Sequence, residues 1–124
     1  MNEVILSIGS NENKETNLSL CHTMLNNLFG GISYSSTSIS KPYGIHYKND
    51  FLNQLARFHT TLDKEQIVAT LKDIEVKMGR KAKDKAMGIV KIDIDLIIWN
   101  EEILRPNEMD RCYIKDLLAL FQVQ

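Results

Sequence analysis

Two aspartates separated by one residue interrupt a segment that otherwise has the pattern of a buried strand. In KIDIDLIIW, residues 91–99, aliphatic side chains alternate toward one face while Asp93 and Asp95 share the other face. Side chains two positions apart on a strand lie roughly 6.5–7 Å apart at the backbone. A carboxylate pair at this spacing suits one Mg²⁺ ion, or two ions that hold phosphates for phosphoryl transfer. The alternative is a solvated strand face whose acids pair with neighbouring charges.

A strongly basic segment comes directly before this strand. Residues 77–88, KMGRKAKDKAMG, contain five lysines and arginines and a single acid, Asp84. The connection would therefore keep positive charge close to the aspartate pair. Such a combination suits a magnesium–polyphosphate ligand, because the metal bridges acids and phosphates while the cations neutralise the remaining charge. The alternative is a solvated lysine-rich loop that binds no ligand.

The overall composition limits the class of protein. The chain has 124 residues, of which 44% are apolar, and a net charge of −1 from 15 basic and 16 acidic side chains. This balance gives no support for a nucleic-acid or membrane surface, and no stretch approaches the ~18 apolar residues of a spanning helix. Cys21 and Cys112 lack metal-ligand spacing and are interpreted as reduced thiols. We predict one cytoplasmic domain, residues 1–124, with no nucleic-acid or membrane partner; the oligomeric state stays open.

The apolar periodicity predicts alternating strands and helices. Helical spacing of apolar residues begins at Leu18 and again after Asp63, which has the pattern of an N-cap with Gln66 three residues on. A turn at 100–101 leads to a tail that is expected to be helical from Lys115. The strands are expected at 3–8, 32–40, 50–62 (with room for a bulge) and about 90–98.

The resulting order, β-α-β-β-α-β, is typical of ferredoxin-like α+β folds. In such a fold one antiparallel sheet carries two helices on one face. The opposite face is then open to carry a ligand site, which is where a strand can present two carboxylates.

Several short motifs resemble those of one enzyme family, in the same order and at nearly the same spacing. The motifs are GSN (9–11), KPYG (41–44), NDFLN (49–53), IEVKMGR (74–80) and G-x-x-x-IDIDL (88–96). The resemblance is to the hydroxymethyl-dihydropterin pyrophosphokinases and covers most of residues 3–120. It implies the ferredoxin-like fold and a reaction of folate biosynthesis, in which the β,γ-pyrophosphoryl group of ATP moves to the pterin's hydroxymethyl oxygen and AMP is left.

The resemblance also implies roles for individual residues. Asp93 and Asp95 correspond to the aspartates that bind magnesium, expected as two ions, and they count as catalytic together with Arg80 and Arg111. The residues that correspond to nucleotide contacts are Glu75, Arg80 and Lys83. The residues that correspond to the pterin site are Ser40, Pro42, Tyr43, Phe51, Asn53 and Tyr113. Among these, Phe51 and Tyr113 would stack on the two faces of the pterin, and Asn53 would hydrogen-bond its edge.

Several positions depart from the family pattern. Neutral residues replace family arginines at Ala82, Ala86 and Val90, Pro106-Asn107 falls where the family has a histidine, and the sequence ends earlier than a typical member. Nearby lysines can replace part of this charge, without arginine's two-pronged hydrogen bonding. Two alternatives to an active enzyme therefore stay open. One is a catalytically degenerate relative that binds pterin or nucleotide, and the other is a ferredoxin-like interaction domain that binds neither.

Overall fold

A computed structural model of the chain describes residues 1–42, 49–109 and 111–123, with the backbone alone for a few helical residues, Tyr113 among them. The described residues form six strands and five helices. In chain order these are β1 (Asn2–Ser10), α1 (Lys14–Leu28), β2 (Ser33–Tyr34), β3 (Ser38–Ser40), β4 (Phe51–Thr60), α2 (Lys64–Lys77), α3 (Ala82–Ala86), β5 (Asp93–Trp99), β6 (Glu102–Ile103), α4 (Pro106–Met109) and α5 (Cys112–Val123).

The strands form one antiparallel sheet in the order β2-β4-β1-β5-β6, with β3 also paired to β4. β1 occupies the middle because its central residues are buried on both sides. This arrangement confirms the predicted α+β, ferredoxin-like fold. No helix in the described ranges combines the length and the apolar character that a membrane-spanning segment requires.

One face of the sheet is covered by α1 and α2, as predicted. The two helices bury an apolar stripe against the sheet, and α2 begins with the predicted capping box, in which Asp63 and Gln66 bond each other's backbone N–H. Cys21 lies in this core as a free thiol, whose pKa burial raises to about 12. The helical residues that form the stripe are Leu18, Cys21, Leu25, Ile67, Leu71 and Ile74.

The opposite face is only partly open, because α5 packs across it. Ile114, Leu117 and Leu118 of α5 form a second apolar cluster with sheet residues that include Ile5 and Leu55. The tail helix thus begins at 112, three residues earlier than the expected start at 115, and it covers sheet area that we expected to be free. A ligand on this face must therefore lie beyond α5, toward the end of the sheet where β1 ends and β4 and β5 begin.

Three local features differ from the prediction. The segment 32–40 forms two short strands rather than one, since residues 35–37 leave the sheet. β4 pairs with β1 in unbroken register, so the bulge allowed for there is wrong, and the register shift lies instead between β1 and β5. The basic connection contains a short helix, α3, whose first turn is closed by a hydrogen bond from the Lys81 backbone N–H to the Asp84 carboxylate at 3.0 Å.

Candidate functional site

The sheet register aligns polar residues of three strands in one row. Gly9 of β1 lies opposite Asn53 of β4 on one side and opposite Asp93 of β5 on the other. Residues directly opposite in antiparallel strands point to the same face, so Asn53 and Asp93 share a face about 10 Å apart, two strand spacings. Gly9 lies between them and has no side chain of its own. Asp95 lies in the next row, opposite Ser7.

Asn53 is held firmly at one end of this row. The residue is 3% exposed, and its Nδ2 donates to Ser40 Oγ at 2.8 Å and to the Ser38 carbonyl at 3.2 Å. A Cβ atom at Gly9 would lie 3.5 Å from Asn53 Oδ1 and 3.7 Å from Phe51 Cδ1. The amide oxygen and the phenyl edge therefore meet beside the glycine, where a flat ring could contact both.

Two arginines flank the carboxylate pair at the other end of the row. Arg80 Nη1 lies 3.1 Å from Asp93 Oδ1 and 3.1 Å from Glu75 Oε1. Arg105 Nη2 lies 3.3 Å from Asp95 Oδ1. Each aspartate thus has its own guanidinium partner, which offsets the repulsion between two like charges on one strand face.

Glu75 connects α2 to the edge of the carboxylate strand. Its Oε2 accepts a 2.8 Å hydrogen bond from the Ile94 N–H, a backbone donor on the side of β5 that faces away from β1. Burial raises the pKa of Glu75, an effect that the Ile94 hydrogen bond and the Arg80 charge oppose. Burial lowers the pKa of Arg80, but the charges of Glu75 and Asp93 outweigh it and the pKa is raised overall. The two residues form a fixed, charged brace.

A cleft of about 1240 Å³ opens along this edge, between α2 and the segment that follows β6. Its volume suits a ligand of nucleotide size. Cations and acids both line it, so the walls can meet a metal ion as well as an anionic ligand. The lining residues are Lys64, Glu65, Val68, Ala69, Leu71, Lys72, Glu75, Val76, Arg80, Asp93, Ile94, Asp95, Leu96, Leu104 and Arg105.

The basic connection is anchored to the end of β1 by a buried asparagine. Asn11 Nδ2 donates to the Gly88 carbonyl at 2.9 Å, and its Oδ1 accepts from the Val90 N–H at 2.6 Å. Lys91 Nζ donates to the Gly79 carbonyl at 2.9 Å and lies 3.4 Å from Asp84 Oδ2. The Asn11 and Lys91 contacts therefore hold the connection against the sheet.

The predicted site residues divide into those that meet and those that do not. Glu75, Arg80, Asp93 and Asp95 converge in the cleft, and Ser40, Phe51 and Asn53 converge across the sheet face. Lys83 is exposed on α3, Arg111 lies between α4 and α5, and Pro42 follows β3; these three are not among the described cleft-lining residues. Tyr43 lies outside the described residues, as does the side chain of Tyr113.

The carboxylate pair suits a partly hydrated Mg²⁺ ion better than a metal ion that is bound by protein ligands alone. Among the described residues, no group of three or more histidine, cysteine or acidic side chains could hold a metal ion. Two carboxylates on one strand face leave most of a coordination shell to water and to the ligand's oxygens. Mg²⁺ favours this arrangement, whereas structural Zn²⁺ needs four protein ligands.

Sequence reasoning missed three basic residues of the cleft, Lys64, Lys72 and Arg105. Lys72 lies one helical turn before Glu75 on the same face of α2, a spacing that could have identified it. Arg105 had no comparable local signal, because it reaches Asp95 only through the turn and short strand that follow β5.

Comparisons with known proteins identify the family of the chain. Residues 5–122 match the sequence profile of the family described as 7,8-dihydro-6-hydroxymethylpterin-pyrophosphokinase (HPPK). A 2-amino-4-hydroxy-6-hydroxymethyldihydropteridine pyrophosphokinase of Helicobacter pylori is 31% identical over 112 residues, 87% of this chain and 69% of that protein. A protein of the same name from Aquifex aeolicus is 32% identical over 66 residues, 53% of this chain and 41% of that protein. The matches thus span only part of each relative's length. The chain belongs to the HPPK family.

Proposed function

We propose that this protein transfers pyrophosphate from ATP to the hydroxymethyl group of hydroxymethyl-dihydropterin, in a magnesium-dependent reaction of folate biosynthesis that leaves AMP. Membership of the HPPK family and the names of the two relatives support the reaction class. The single observation that carries the proposal is the row Asn53–Gly9–Asp93, which puts an amide and a carboxylate on one sheet face with only a glycine between them.

The pterin binds at the Asn53 end of the row. The Asn53 amide, already fixed by Ser40 and the Ser38 carbonyl, offers its oxygen to donors on the edge of the ring. Phe51 stacks on one face of the ring, and Tyr113 is expected to stack on the other. The spacing of about 10 Å between Asn53 and Asp93 leaves room for the bicyclic ring. A ring bound beside Asn53 has its alcohol directed toward the carboxylates.

The nucleotide binds in the cleft along β5. Arg80, fixed between Glu75 and Asp93, supplies positive charge to the phosphates, and Lys83 and Arg111 are expected to add to it. Asp93 and Asp95 would hold Mg²⁺, as two ions. When bound, the metal would polarise the phosphate oxygens and offset their charge.

The reaction needs positioning rather than a covalent enzyme intermediate. The pterin alcohol oxygen forms a bond to the β-phosphorus, the bond from that phosphorus to the bridging α–β oxygen breaks, and the alcohol proton passes to water. Asn53 and Phe51 align the attacking oxygen, and Arg80 stabilises charge on the migrating group. These effects require rigid residues, which the hydrogen bonds of Asn53 and the double ion pair of Arg80 provide.

The test is AMP formation from ATP, Mg²⁺ and hydroxymethyl-dihydropterin. Asp95→Asn is expected to lower the rate by about 10²–10³, because it weakens the cation site. Asp73→Asn is the matched control, since Asp73 is an exposed acid on α2 that pairs with Lys77 outside the cleft. AMP that requires both pterin and Asp95 supports the proposal. Pterin or nucleotide binding without AMP contradicts it and identifies a degenerate relative instead.

A further inference from the structure

Arg105 is the basic residue on the opposite side of the carboxylate pair from Arg80. It lies in the cleft wall after β6, and its guanidinium reaches Asp95 at 3.3 Å. The Asp95 side chain is 19% exposed, whereas that of Arg105 is 48% exposed. A shielded acid is thus joined to a cation that still contacts solvent inside the cleft.

This ion pair can exchange partners when an anionic ligand enters. A guanidinium binds phosphate oxygens with the same two-pronged geometry that it uses for a carboxylate. A divalent cation at Asp95 would neutralise that carboxylate and remove its need for the arginine. Arg105 can then turn to a phosphate oxygen without leaving either charge unpaired.

We propose that Arg105 is a further phosphate-binding residue, which holds Asp95 in the ligand-free protein and contacts the polyphosphate when nucleotide and metal bind. The inference rests on the nucleotide cleft of the proposed function. A polyphosphate in this cleft lies between two guanidinium groups, Arg80 before β5 and Arg105 after β6. Only ion pairs are exchanged, so the step needs no further reactant.

Binding measurements test this role without relying on turnover. In Arg105→Gln, calorimetry is expected to show about 10- to 100-fold weaker binding of tripolyphosphate with Mg²⁺, because a charged hydrogen bond is lost. Mn²⁺ alone, followed by electron paramagnetic resonance, is expected to bind about two- to fivefold more tightly, because the competing cation at Asp95 is gone. Arg105→Lys should retain an intermediate affinity for tripolyphosphate. Lys77→Gln removes one exposed charge outside the cleft and should change neither ligand.

The outcomes separate this inference from the proposed function. Unchanged tripolyphosphate affinity in Arg105→Gln overturns the inference, as does a wild-type protein that does not bind tripolyphosphate. Weaker Mn²⁺ binding in the same variant also overturns it, because Arg105 would then only keep Asp95 in position. A wild-type protein that binds tripolyphosphate through Arg105 yet forms no AMP refutes the pyrophosphokinase and keeps the phosphate site.

Discussion

Replacing Glu75 with alanine is expected to lower the free energy of unfolding by about 2–4 kcal/mol. The Ile94 N–H would lose a charged acceptor at 2.8 Å, which costs about 1.5–3 kcal/mol. The ion pair with Arg80 adds at most about 1 kcal/mol, since the Arg80 side chain is 36% exposed and solvent screens its charge. Urea unfolding measures the difference. Asp73→Ala, an exposed acid on the same helix, should stay within about 0.5 kcal/mol of the wild type.

The same carboxylate predicts a specific dependence of stability on pH. Burial raises the Glu75 pKa above its ordinary value of 4.5. As the pH rises through 4.5, the unfolded chain releases this proton first, while the folded protein keeps it to a higher pH. The folded state then binds more protons than the unfolded state, so stability falls across the window between the two pKa values.

A variant that cannot titrate at this position tests that sign. Glu75→Gln keeps an oxygen acceptor for Ile94 but carries no proton equilibrium, so its stability should fall less than that of the wild type as the pH rises above 4.5. Urea titrations at a series of pH values from about 4 to about 7 give the comparison. Identical pH slopes for the two proteins would refute the buried, charged brace, as would an alanine variant as stable as the wild type.

Three further changes probe the anchors around the site. Asn11→Ala removes two buried side-chain hydrogen bonds, at 2.9 and 2.6 Å, and should cost about 2–4 kcal/mol in urea unfolding; a loss below about 0.5 kcal/mol would contradict the anchor. Asp84→Asn should reduce the loss of stability that the protein shows as the pH falls. The Lys81 N–H lowers the Asp84 pKa below 3.8, so the wild type loses this stabilisation as the pH falls through the lowered value; equal acid midpoints would contradict it. Ile114→Ala should cost about 2–5 kcal/mol, because the side chain is fully buried between α5 and the sheet; a neutral effect would mean that α5 packs only loosely.

The fold was predictable where each element carries its own periodic signal. α1 and α2 show apolar residues at helical spacing, and β1, β4 and β5 alternate or are continuously apolar. The N-terminus of α2 could be placed to the residue because Asp63 and Gln66 bond each other's backbone within four positions. These local signals are sufficient to fix the order of elements, and the order limits the fold to few topologies.

Features that depend on distant partners were not predictable in the same way. α5 covers part of the second sheet face because Ile114, Leu117 and Leu118 meet Ile5 and Leu55, and these contacts join residues far apart in the chain. The split of residues 32–40 depends on Ser35, whose hydroxyl accepts the Leu55 N–H at 2.9 Å. A serine-rich stretch alone does not indicate which of its residues leave the sheet.

The candidate site shows the same division. Asp93, Asp95 and Arg80 lie close together in sequence, and a strand period of two is sufficient to put both acids on one face. Arg105 could not be assigned, because its approach to Asp95 depends on the turn after β5 and on the pairing with β6. The charge that Arg105 adds to the cleft wall therefore becomes known only from the tertiary structure.

The position of the site follows from a gradient of side chains along the second sheet face. On β1, successive residues of this face are Ile5, Ser7 and Gly9, which pass from apolar to polar to no side chain. β5 changes in step, since Ile98 lies opposite Ile5 and Asp93 lies opposite Gly9, whereas β4 places Leu55 opposite Ser7 and Asn53 opposite Gly9. α5 packs on the apolar side chains of this face, which include Ile5, Leu55 and Ile98, because burial of its own apolar stripe against them stabilises it.

The polar rows are left for a ligand for the same physical reason. An apolar helix over this end of the sheet would take the Asp93 carboxylate and its Arg80 partner out of water, and removing an ion pair from water costs several kcal/mol per charge. The register itself preserves this division, because a slip of one residue in β5 would turn Asp93 and Asp95 into the core under α1 and α2. The aspartates therefore act against misregister, besides any role in the proposed site. Replacing both aspartates with serine should remove the penalty against a register slip. A variant that loses cation binding but keeps one unique fold would show that the aspartates are needed for binding and not for the register.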